Sequence, residues 1–148
     1  MKIFNRHFSR EYEAVDKYEA GVVLTGAEVK SVKSGGMRLD NSYVKIIGSQ
    51  AFLINAEITA YQYAPKINYE PRRTRKLLLT KKELLTLRVK LSSGAGLTII
   101  PVSCYNKGAL VKLEIALAKG RKDFEKRKHE KAKDMKREGE KEVKEYFR

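Results

Sequence analysis

Cysteine is almost absent from this 148-residue sequence, and its scarcity excludes whole classes of structure. Cys104 is the only cysteine, so the chain can form neither a disulfide framework nor a cysteine-rich zinc site. Its apolar neighbours Ile99, Ile100 and Val102 predict a buried thiol in a strand. The length suits one domain with a hydrophobic core, and we expect no metal in it.

Motifs that carry catalysis are also missing. The two histidines, His7 and His129, lie in charged terminal regions, outside any Ser/His/Asp or metal-ligand pattern. No P-loop, Gly-rich dinucleotide turn or metal-spaced carboxylate cluster occurs. These absences argue against an enzyme and predict a binding protein without a cofactor.

Long apolar runs do not occur either. No stretch approaches the roughly 20 apolar residues of a membrane-spanning helix. The first residues of the chain lack the apolar core of a secretory signal. We therefore expect a cytoplasmic protein with no membrane partner.

Positive charge is what the sequence has in excess. Its 32 Lys and Arg residues stand against 18 Asp and Glu, which gives a net charge of +14. Such an excess favours nucleic acid as the partner. The alternative is a soluble protein whose high net charge has no nucleic-acid role.

The charge is densest in residues 119–148, which hold thirteen Lys or Arg and eight Asp or Glu. Few large apolar side chains are available there to offset the entropy lost on ordering. We predict two parts: a body, residues 1–118, and a basic tail, residues 119–148. The tail is expected to be disordered when free and helical against RNA, the alternative being a solvated helix or a solubilising tail.

The body has the pattern of a mainly β domain. Short apolar or alternating segments at 20–26, 28–33, 43–47 and 50–55 predict four strands, with a tight turn at 39–42 and a hairpin loop at Gly48 and Ser49. Segments 97–105 and 109–117 predict two more, and Pro101 indicates an edge or a bulge. About six strands fit an OB-like Greek-key barrel with short flanking helices.

One helix is predicted before the last two strands. Thr80 and Glu83 have the spacing of a capping box, and Leu84, Leu87 and Leu91 follow at helical intervals. Their apolar stripe should close one end of the barrel. A shorter helix is suggested by Phe8 and Tyr12, four residues apart.

Residues 60–76 predict a long exposed loop that mixes tyrosines with cations. Tyr61, Tyr63 and Tyr69 could stack on RNA bases while Lys and Arg meet phosphates. The alternative is a surface loop whose tyrosines fold back onto the barrel.

Six blocks of sequence together resemble one family: EAG at 19–21, GAEVKS at 26–31, NSYV at 41–44, AFL at 51–53, PRRTRKLLL at 71–79 and ALAKGRK at 116–122. The chain is similar in these blocks, and in their order, to the SmpB family, the tmRNA-binding (SsrA-binding) proteins of bacterial trans-translation. The resemblance implies a monomer that binds the tRNA-like domain of tmRNA and delivers it to stalled ribosomes, where the nascent chain is tagged and the ribosome rescued.

The resemblance also implies which residues contact RNA. On the RNA-binding side of the body it places Asn5, Glu19, Leu78 and Lys112. Arg73, Arg75 and Lys76 would add phosphate contacts, and Lys30 completes the predicted RNA-binding set. For the arginines and Lys76, the alternative is salt bridges within the barrel.

The tail would fill the mRNA channel and contact the small-subunit decoding centre of the ribosome. Its implied contact residues are Lys119, Gly120, Arg121, Lys122, Phe124, Glu125, Lys126, Arg127 and Met135. The chain departs from the family pattern at Ala27 and Met135, where the family has Trp, and at Phe124, where many relatives have His. These departures question any role that needs an indole or an imidazole there.

A second function stays open beside this one. The chain could be a general OB-fold binder of structured RNA, such as a ribosome-assembly factor. Competition between tRNA-like RNA and unstructured RNA of equal length distinguishes the two. A nuclease or modifying enzyme is a third reading, which the missing catalytic residues disfavour.

Overall fold

The fold was analysed in a computed structural model that describes the backbone of residues 1–146 and the side chains of all these residues except Asp123 and 142–146. Residues 147 and 148, the end of the predicted tail, lie outside the described range. The described chain forms nine strands and four helices. In order they are β1 (Lys2–Phe4), α1 (Phe8–Glu11), β2 (Tyr12–Val22), α2 (Gly26–Lys33), β3 (Met37–Arg38), β4 (Tyr43–Ile47), β5 (Gln50–Ile54), β6 (Glu57–Ile58), β7 (Arg75–Leu78), α3 (Lys81–Leu91), β8 (Leu97–Lys107), β9 (Leu110–Gly120) and α4 (Asp123–Tyr146).

Six of the strands close into an antiparallel barrel. The sheet runs β1-β8-β4-β5-β7-β2-β9, and β9 pairs again with β8. The ring therefore passes through β8, β4, β5, β7, β2 and β9, with β1 added beside β8 and β3–β6 forming a separate pair. Closure removes the open edges that would otherwise invite pairing with other chains. The predicted mainly β fold with a six-stranded barrel is confirmed.

The last two strands carry most of the core. Val111, Leu113, Ile115 and Leu117 alternate along β9 and all point into the barrel, as the period of two predicts. Truncating a fully buried leucine such as Leu113 would cost about 2–5 kcal/mol. On the opposite face of β9, Lys112 and Glu114 are partly exposed, but Ala116 and Ala118 are buried in a cluster that includes Phe8 of α1.

Pro101 sits at an irregularity between β8 and β9. Their register shifts between Pro101 and Ser103, which is the bulge that a proline without an amide donor favours. The thiol of Cys104 faces the core, and burial raises its pKa to about 12. A buried thiol with so high a pKa is inert.

The predicted helix α3 is confirmed, with its capping box. Thr80 Oγ1 accepts from the amide of Glu83 at 3.1 Å, and Glu83 Oε1 accepts from the amide of Thr80 at 3.1 Å. Leu87 is buried, and Leu84 and Leu91 pack against the core. The stripe therefore covers the barrel as expected.

The strand predicted at 28–33 is wrong, because this segment is helix α2. Thr25 and Glu28 form a second capping box, with the Glu28 amide 3.2 Å from Thr25 Oγ1 and the Thr25 amide 3.0 Å from Glu28 Oε1. Val29 and Val32, three residues apart, pack inward. The apolar residues of this segment also fit the period of two of a strand, so the capping box is what favours the helix.

The tail was predicted to be disordered when free and helical against RNA, and in the structure it forms the helix α4 from Asp123 to Tyr146. The physical reason lies in its composition: it has no proline and is rich in Lys, Glu and Arg, which form helices readily. The side chains of residues 130–141 are all exposed. An ion pair between Arg10 Nε and Glu130 Oε1, 2.5 Å apart, joins α4 to α1. The helix is thus attached to the body at few points.

Candidate nucleic-acid interface

Strand register brings distant residues together on the outer face of the barrel. Leu78 of β7 lies opposite Gly21 of β2, Gly21 lies opposite Lys112 of β9, and Lys112 lies opposite Tyr105 of β8. Directly opposed residues of antiparallel strands share a face. Glu19, two residues before Gly21 on β2, points to the same side. We call this surface, made of Glu19, Gly21, Leu78, Tyr105, Lys107 and Lys112, the β2 face.

Glu19 is the acidic centre of the β2 face. Its carboxylate accepts a hydrogen bond from the hydroxyl of Tyr105, and the Nζ of Lys107 lies 3.6 Å from its Oε1. The Tyr105 hydrogen bond is the main cause that lowers the pKa of Glu19, with Lys107 and Lys112 acting in the same direction. Glu19 therefore remains an ionised acceptor surrounded by donors.

Leu78 is an apolar side chain left in solvent on this face. Its side chain is 55% exposed although it lies in a strand. A Cβ added to Gly21 would stand 3.3 Å from the Cβ of Leu78, so a larger residue at 21 would push Leu78 out of place. The pair gives the β2 face a flat apolar area next to its charges, which suits contact with a base or a sugar.

Asn5 has a different environment from Glu19, Leu78 and Lys112. Its Nδ2 donates to the carbonyl of Pro101 at 2.9 Å, and its Oδ1 accepts from the amide of His7 at 3.3 Å. The first bond fastens the residue after β1 to the bulge of β8, and the second holds the local turn into α1. Asn5 therefore supports the fold at the edge next to Phe4, and the RNA contact predicted for it stays a prediction.

Arg75 is a correction to the predicted RNA contacts. It is fully buried, and its Nε and Nη2 lie 2.7 and 2.6 Å from Glu28 Oε2. Its remaining donors reach carbonyls of Ala56, Pro71 and Arg73. A guanidinium enclosed in this way cannot meet a phosphate, so the salt-bridge alternative holds for Arg75. The guanidinium of arginine has five N–H donors, which explains why arginine occupies position 75.

Arg73, Lys76 and Lys30 keep more solvent contact. The Arg73 side chain is half-exposed, with Nη2 2.5 Å from Glu28 Oε1. Lys76 is exposed on β7, opposite Phe52. Lys30 is exposed on α2 with its Nζ 5.7 Å from the ring centre of Tyr61. All three can still offer charge to a phosphate, and the contact itself stays a prediction.

The loop predicted at 60–76 spans residues 59–74, because β7 begins at Arg75, and we call it the aromatic loop. Each of its two predicted interpretations holds for some of its tyrosines. Tyr69 folds back, because its hydroxyl donates to the carbonyl of Ile58 at 2.7 Å. Tyr61 is half-buried, and its ring meets that of Tyr63 edge-on at 5.5 Å. Tyr63 is 78% exposed. Of the three rings, only Tyr63 is presented for stacking on a base.

The base of the tail is part of the folded body. Lys119 and Gly120 are still in β9, where they pair with Glu13 and Tyr12 of β2. Arg121 then binds α1: its amide donates to the carbonyl of Glu11 at 2.8 Å, and its Nε donates to that of Ser9 at 3.1 Å. The strand predicted at 109–117 thus continues to Gly120, two residues beyond the predicted body.

The remaining tail residues of the predicted decoding group follow on α4. The Lys122 amide lies 3.4 Å from Glu125 Oε2, and the Lys126 amide donates to the carbonyl of Lys122 at 2.9 Å, so these residues begin the helix. Arg127 is exposed. Phe124 and Met135 are 65% and 63% exposed, which leaves both apolar side chains open to a partner.

Two residues of the β2 face were not predicted from the sequence. Tyr105 and Lys107 lie near the end of β8, before the turn into β9. Glu19 precedes Tyr105 by 86 residues, so nothing in their spacing indicates a contact. Only the register of three strands brings them together. A tyrosine followed by a lysine at the end of a strand is too common a pattern to have found them.

No group of three or more His, Cys, Asp or Glu among the described residues is arranged to hold a metal ion. None of the helices in this part of the chain has the length and apolar character needed to cross a membrane.

Comparisons with known proteins give a consistent result. The model of the SmpB protein family matches residues 2–145. The chain is 49% identical to an SsrA-binding protein of Sulfurihydrogenibium sp., covering 95% of this chain and 91% of that one. It is 47% identical to an SsrA-binding protein of Persephonella marina, covering 90% and 88%.

A solved structure is similar as well. It is described as "tmRNA-SmpB: a journey to the center of the bacterial ribosome", and one of its chains is 36% identical with a TM-score of 0.68 over 82% of this chain and 85% of that chain. Family model, sequence relatives and fold all agree with the resemblance carried by the sequence motifs. The chain belongs to the SmpB family.

Proposed function

We propose that this protein binds the tRNA-like domain of tmRNA through its barrel and delivers that RNA to ribosomes stalled without a stop codon. The nascent chain is then tagged and the ribosome is rescued by trans-translation. One observation carries the proposal: Glu19, Leu78 and Lys112, three residues of the predicted RNA-binding set, share the β2 face of a basic barrel in a chain whose relatives are SsrA-binding proteins. The function is binding rather than catalysis, and its place is the cytoplasm, where ribosomes work.

The proposal assigns different tasks to the barrel and the tail. The β2 face offers an acceptor, an apolar area and two lysines, which suits a folded RNA with both sugar edges and phosphates. The exposed helix α4 offers Arg127, Phe124 and Met135 to the decoding centre and the mRNA channel of the small subunit. The division between residues 1–118 and 119–148 is thus proposed to be functional, although the fold itself continues to Arg121.

Competition binding tests the choice of RNA. A labelled tRNA-like domain of tmRNA is bound by the full chain at fixed physiological salt and displaced by unlabelled competitors. We expect the tRNA-like RNA to compete at least about tenfold better than an unstructured RNA of equal length, a difference of ~1.4 kcal/mol. Equal competition would instead support a general binder of RNA, because phosphate contacts alone do not distinguish the two.

A further inference from the structure

The β2 face holds an arrangement that stability alone does not explain. Glu19 of β2 lies directly opposite Glu114 of β9, so two carboxylates oppose each other across the strands. Like charges in this position destabilise a sheet. Each carboxylate has its own partners. Glu114 has Lys17 at 3.4 Å and Ser103 at 3.3 Å, while Glu19 has Lys107 and Tyr105.

The route of the Tyr105 side chain is unusual. Tyr105 is on β8, and β9 lies between it and β2. The residue opposite Tyr105 is Lys112, and the residue opposite Lys112 is Gly21, so Tyr105 reaches Glu19 diagonally across an intervening strand. Glycine at 21 leaves the area beside Glu19 free of a side chain. The side chains of Tyr105 and Glu19 thus meet across β9, and the phenol holds a single exposed carboxylate.

We propose that Tyr105 is a positioning residue, which fixes Glu19 so that the free lone pairs of its carboxylate accept a hydrogen bond from a donor group of the bound RNA. The inference rests on the proposed function and names the chemistry read at that site. A base amino group or a ribose 2′-hydroxyl can donate, whereas a phosphate cannot. Glu19 therefore reads a base or a sugar, and Lys107 and Lys112 meet the adjacent phosphates.

The hydrogen-bond inventory leaves room for this contact. A carboxylate has about four acceptor positions. Tyr105 takes one position on Oε2, and Lys107 lies near Oε1 at the long distance of 3.6 Å. Acceptor capacity therefore remains on the exposed side of Glu19.

The protonation states are consistent with the same division of roles. The hydrogen bond to Glu19 raises the pKa of Tyr105 to about 12, and the same bond lowers the pKa of Glu19. Near neutral pH, Tyr105 is therefore protonated and Glu19 is ionised. The tyrosine can only give its proton to this bond, and the glutamate can only accept.

A double-mutant cycle tests the proposal with the full-length protein. Tyr105→Phe, Glu19→Gln and the double variant are compared with the parent in binding to the tRNA-like domain of tmRNA at fixed salt. We expect Tyr105→Phe to weaken binding about three- to tenfold, Glu19→Gln to weaken it at least as much, and the double variant to match Glu19→Gln. Such coupling is expected only if Tyr105 acts through Glu19.

Two results would overturn the positioning role. One is an unchanged affinity of Tyr105→Phe. The other is a loss that is just as large in the Glu19→Gln background, which would mean that Tyr105 contacts the RNA by itself. Tyr43→Phe is the matched control, since it removes the same hydroxyl from an exposed tyrosine on β4 and should leave affinity unchanged.

A second readout needs no RNA. In the free protein, the side-chain carboxyl carbon of Glu19 can be followed by NMR as pH is lowered. Tyr105→Phe should move its midpoint upward, toward the ordinary value for glutamate, and an unmoved midpoint would contradict the proposal. Circular dichroism checks that each variant is folded.

The outcomes separate this inference from the proposed function. If the parent prefers tRNA-like RNA and Glu19→Gln loses affinity while Tyr105→Phe does not, only the positioning role fails. If the parent shows no preference for tRNA-like RNA, the proposed function fails. If Glu19→Gln binds like the parent, Glu19 does not contact the RNA, and the positioning role of Tyr105 fails as well.

Discussion

Two clusters in this protein have almost the same chemistry and opposite settings. On the β2 face, Glu19 is held by Tyr105 with Lys107 and Lys112 nearby. Under the aromatic loop, Glu28 is held by Arg75 and Arg73, with the Tyr69 hydroxyl 3.5 Å away. Each is a glutamate with a tyrosine and two cations. Burial separates them: the side chains of Glu28 and Arg75 are fully enclosed, whereas the Glu19 cluster faces solvent.

The comparison shows why arginines surround the buried carboxylate and lysines flank the exposed one. A buried carboxylate needs donors that satisfy all its lone pairs in a fixed geometry, and the arginine fork supplies them while also bonding loop carbonyls. An exposed carboxylate that must also meet a partner is better flanked by lysines, whose flexible ammonium groups can turn to phosphates. The buried cluster anchors the loop and α2, and the exposed one is left free to bind.

The largest expected effect comes from breaking the buried cluster. Arg75→Ala leaves the Glu28 carboxylate enclosed without its main partner, and we expect the free energy of unfolding to fall by about 3–5 kcal/mol in chemical denaturation. Lys76→Ala is the control, one residue along the same strand but exposed, and should cost less than about 0.5 kcal/mol. An Arg75→Ala variant as stable as the control would show that the buried ion pair does not hold the loop.

The equivalent change on the exposed cluster should affect binding instead. Glu19→Gln removes an acceptor and a charge at the surface, so we expect about tenfold weaker binding to tRNA-like RNA, ~1.4 kcal/mol, with an unchanged unfolding midpoint. Glu13→Gln makes the same substitution at an exposed site on the same strand and should bind like the parent. If Glu19→Gln lowers stability rather than affinity, the two clusters do not differ as described.

The two tyrosines give a finer comparison. Tyr69→Phe removes the 2.7 Å hydrogen bond to the carbonyl of Ile58, and we expect a loss of about 1 kcal/mol in unfolding free energy. Tyr105→Phe should leave the same quantity nearly unchanged, because its hydroxyl bonds a solvated carboxylate. Thermal denaturation of both variants measures this, and equal destabilisation would contradict it.

Acid sensitivity is the smallest expected effect. Burial pushes the pKa of Glu28 upward, but the Thr25 amide and the guanidiniums of Arg73 and Arg75 outweigh it, and the pKa is lowered overall. Its contribution to stability is therefore present above the ordinary glutamate pKa of about 4.3 and is lost as pH falls through the lower folded value.

The measurement is the unfolding free energy at several pH values from neutral to acid. Glu28→Gln should be less stable than the parent at neutral pH and should lose less further stability as the solution is acidified. Parallel curves for the two proteins would mean that Glu28 is not the group responsible.

Local pattern predicted much of this fold. The hairpin at Gly48, the bulge at Pro101 and the capped helix α3 depend on residues close in sequence, and each is present. The strand predicted at 28–33 was wrong because both the strand and the helix period fit six residues, and the cap at Thr25 was overlooked. The site was predicted through family motifs, which supplied Glu19, Leu78 and Lys112 but not Tyr105.

The sequence did not predict which side chains of the basic block are buried. Arg73, Arg75 and Lys76 stand almost side by side in one basic block, and the alternation of β7 decides that Arg75 points inward while Lys76 points outward. The tail is a separate case, because its low apolar content and its helix propensity point in different directions. Its low apolar content indicates that it has no core of its own, but a single helix needs none, only favourable propensities and a starting point at Lys122.

The independence of the β2 face from the tail can be measured directly. A chain ending at Lys122 keeps all of β9 and the Arg121 contacts but lacks α4. Its affinity for the tRNA-like domain of tmRNA should stay within about threefold of the full chain, ~0.65 kcal/mol, while nascent-chain tagging on stalled ribosomes is abolished. If the shortened chain folds but loses that RNA, the barrel does not bind it alone, and the division of roles between barrel and tail is wrong.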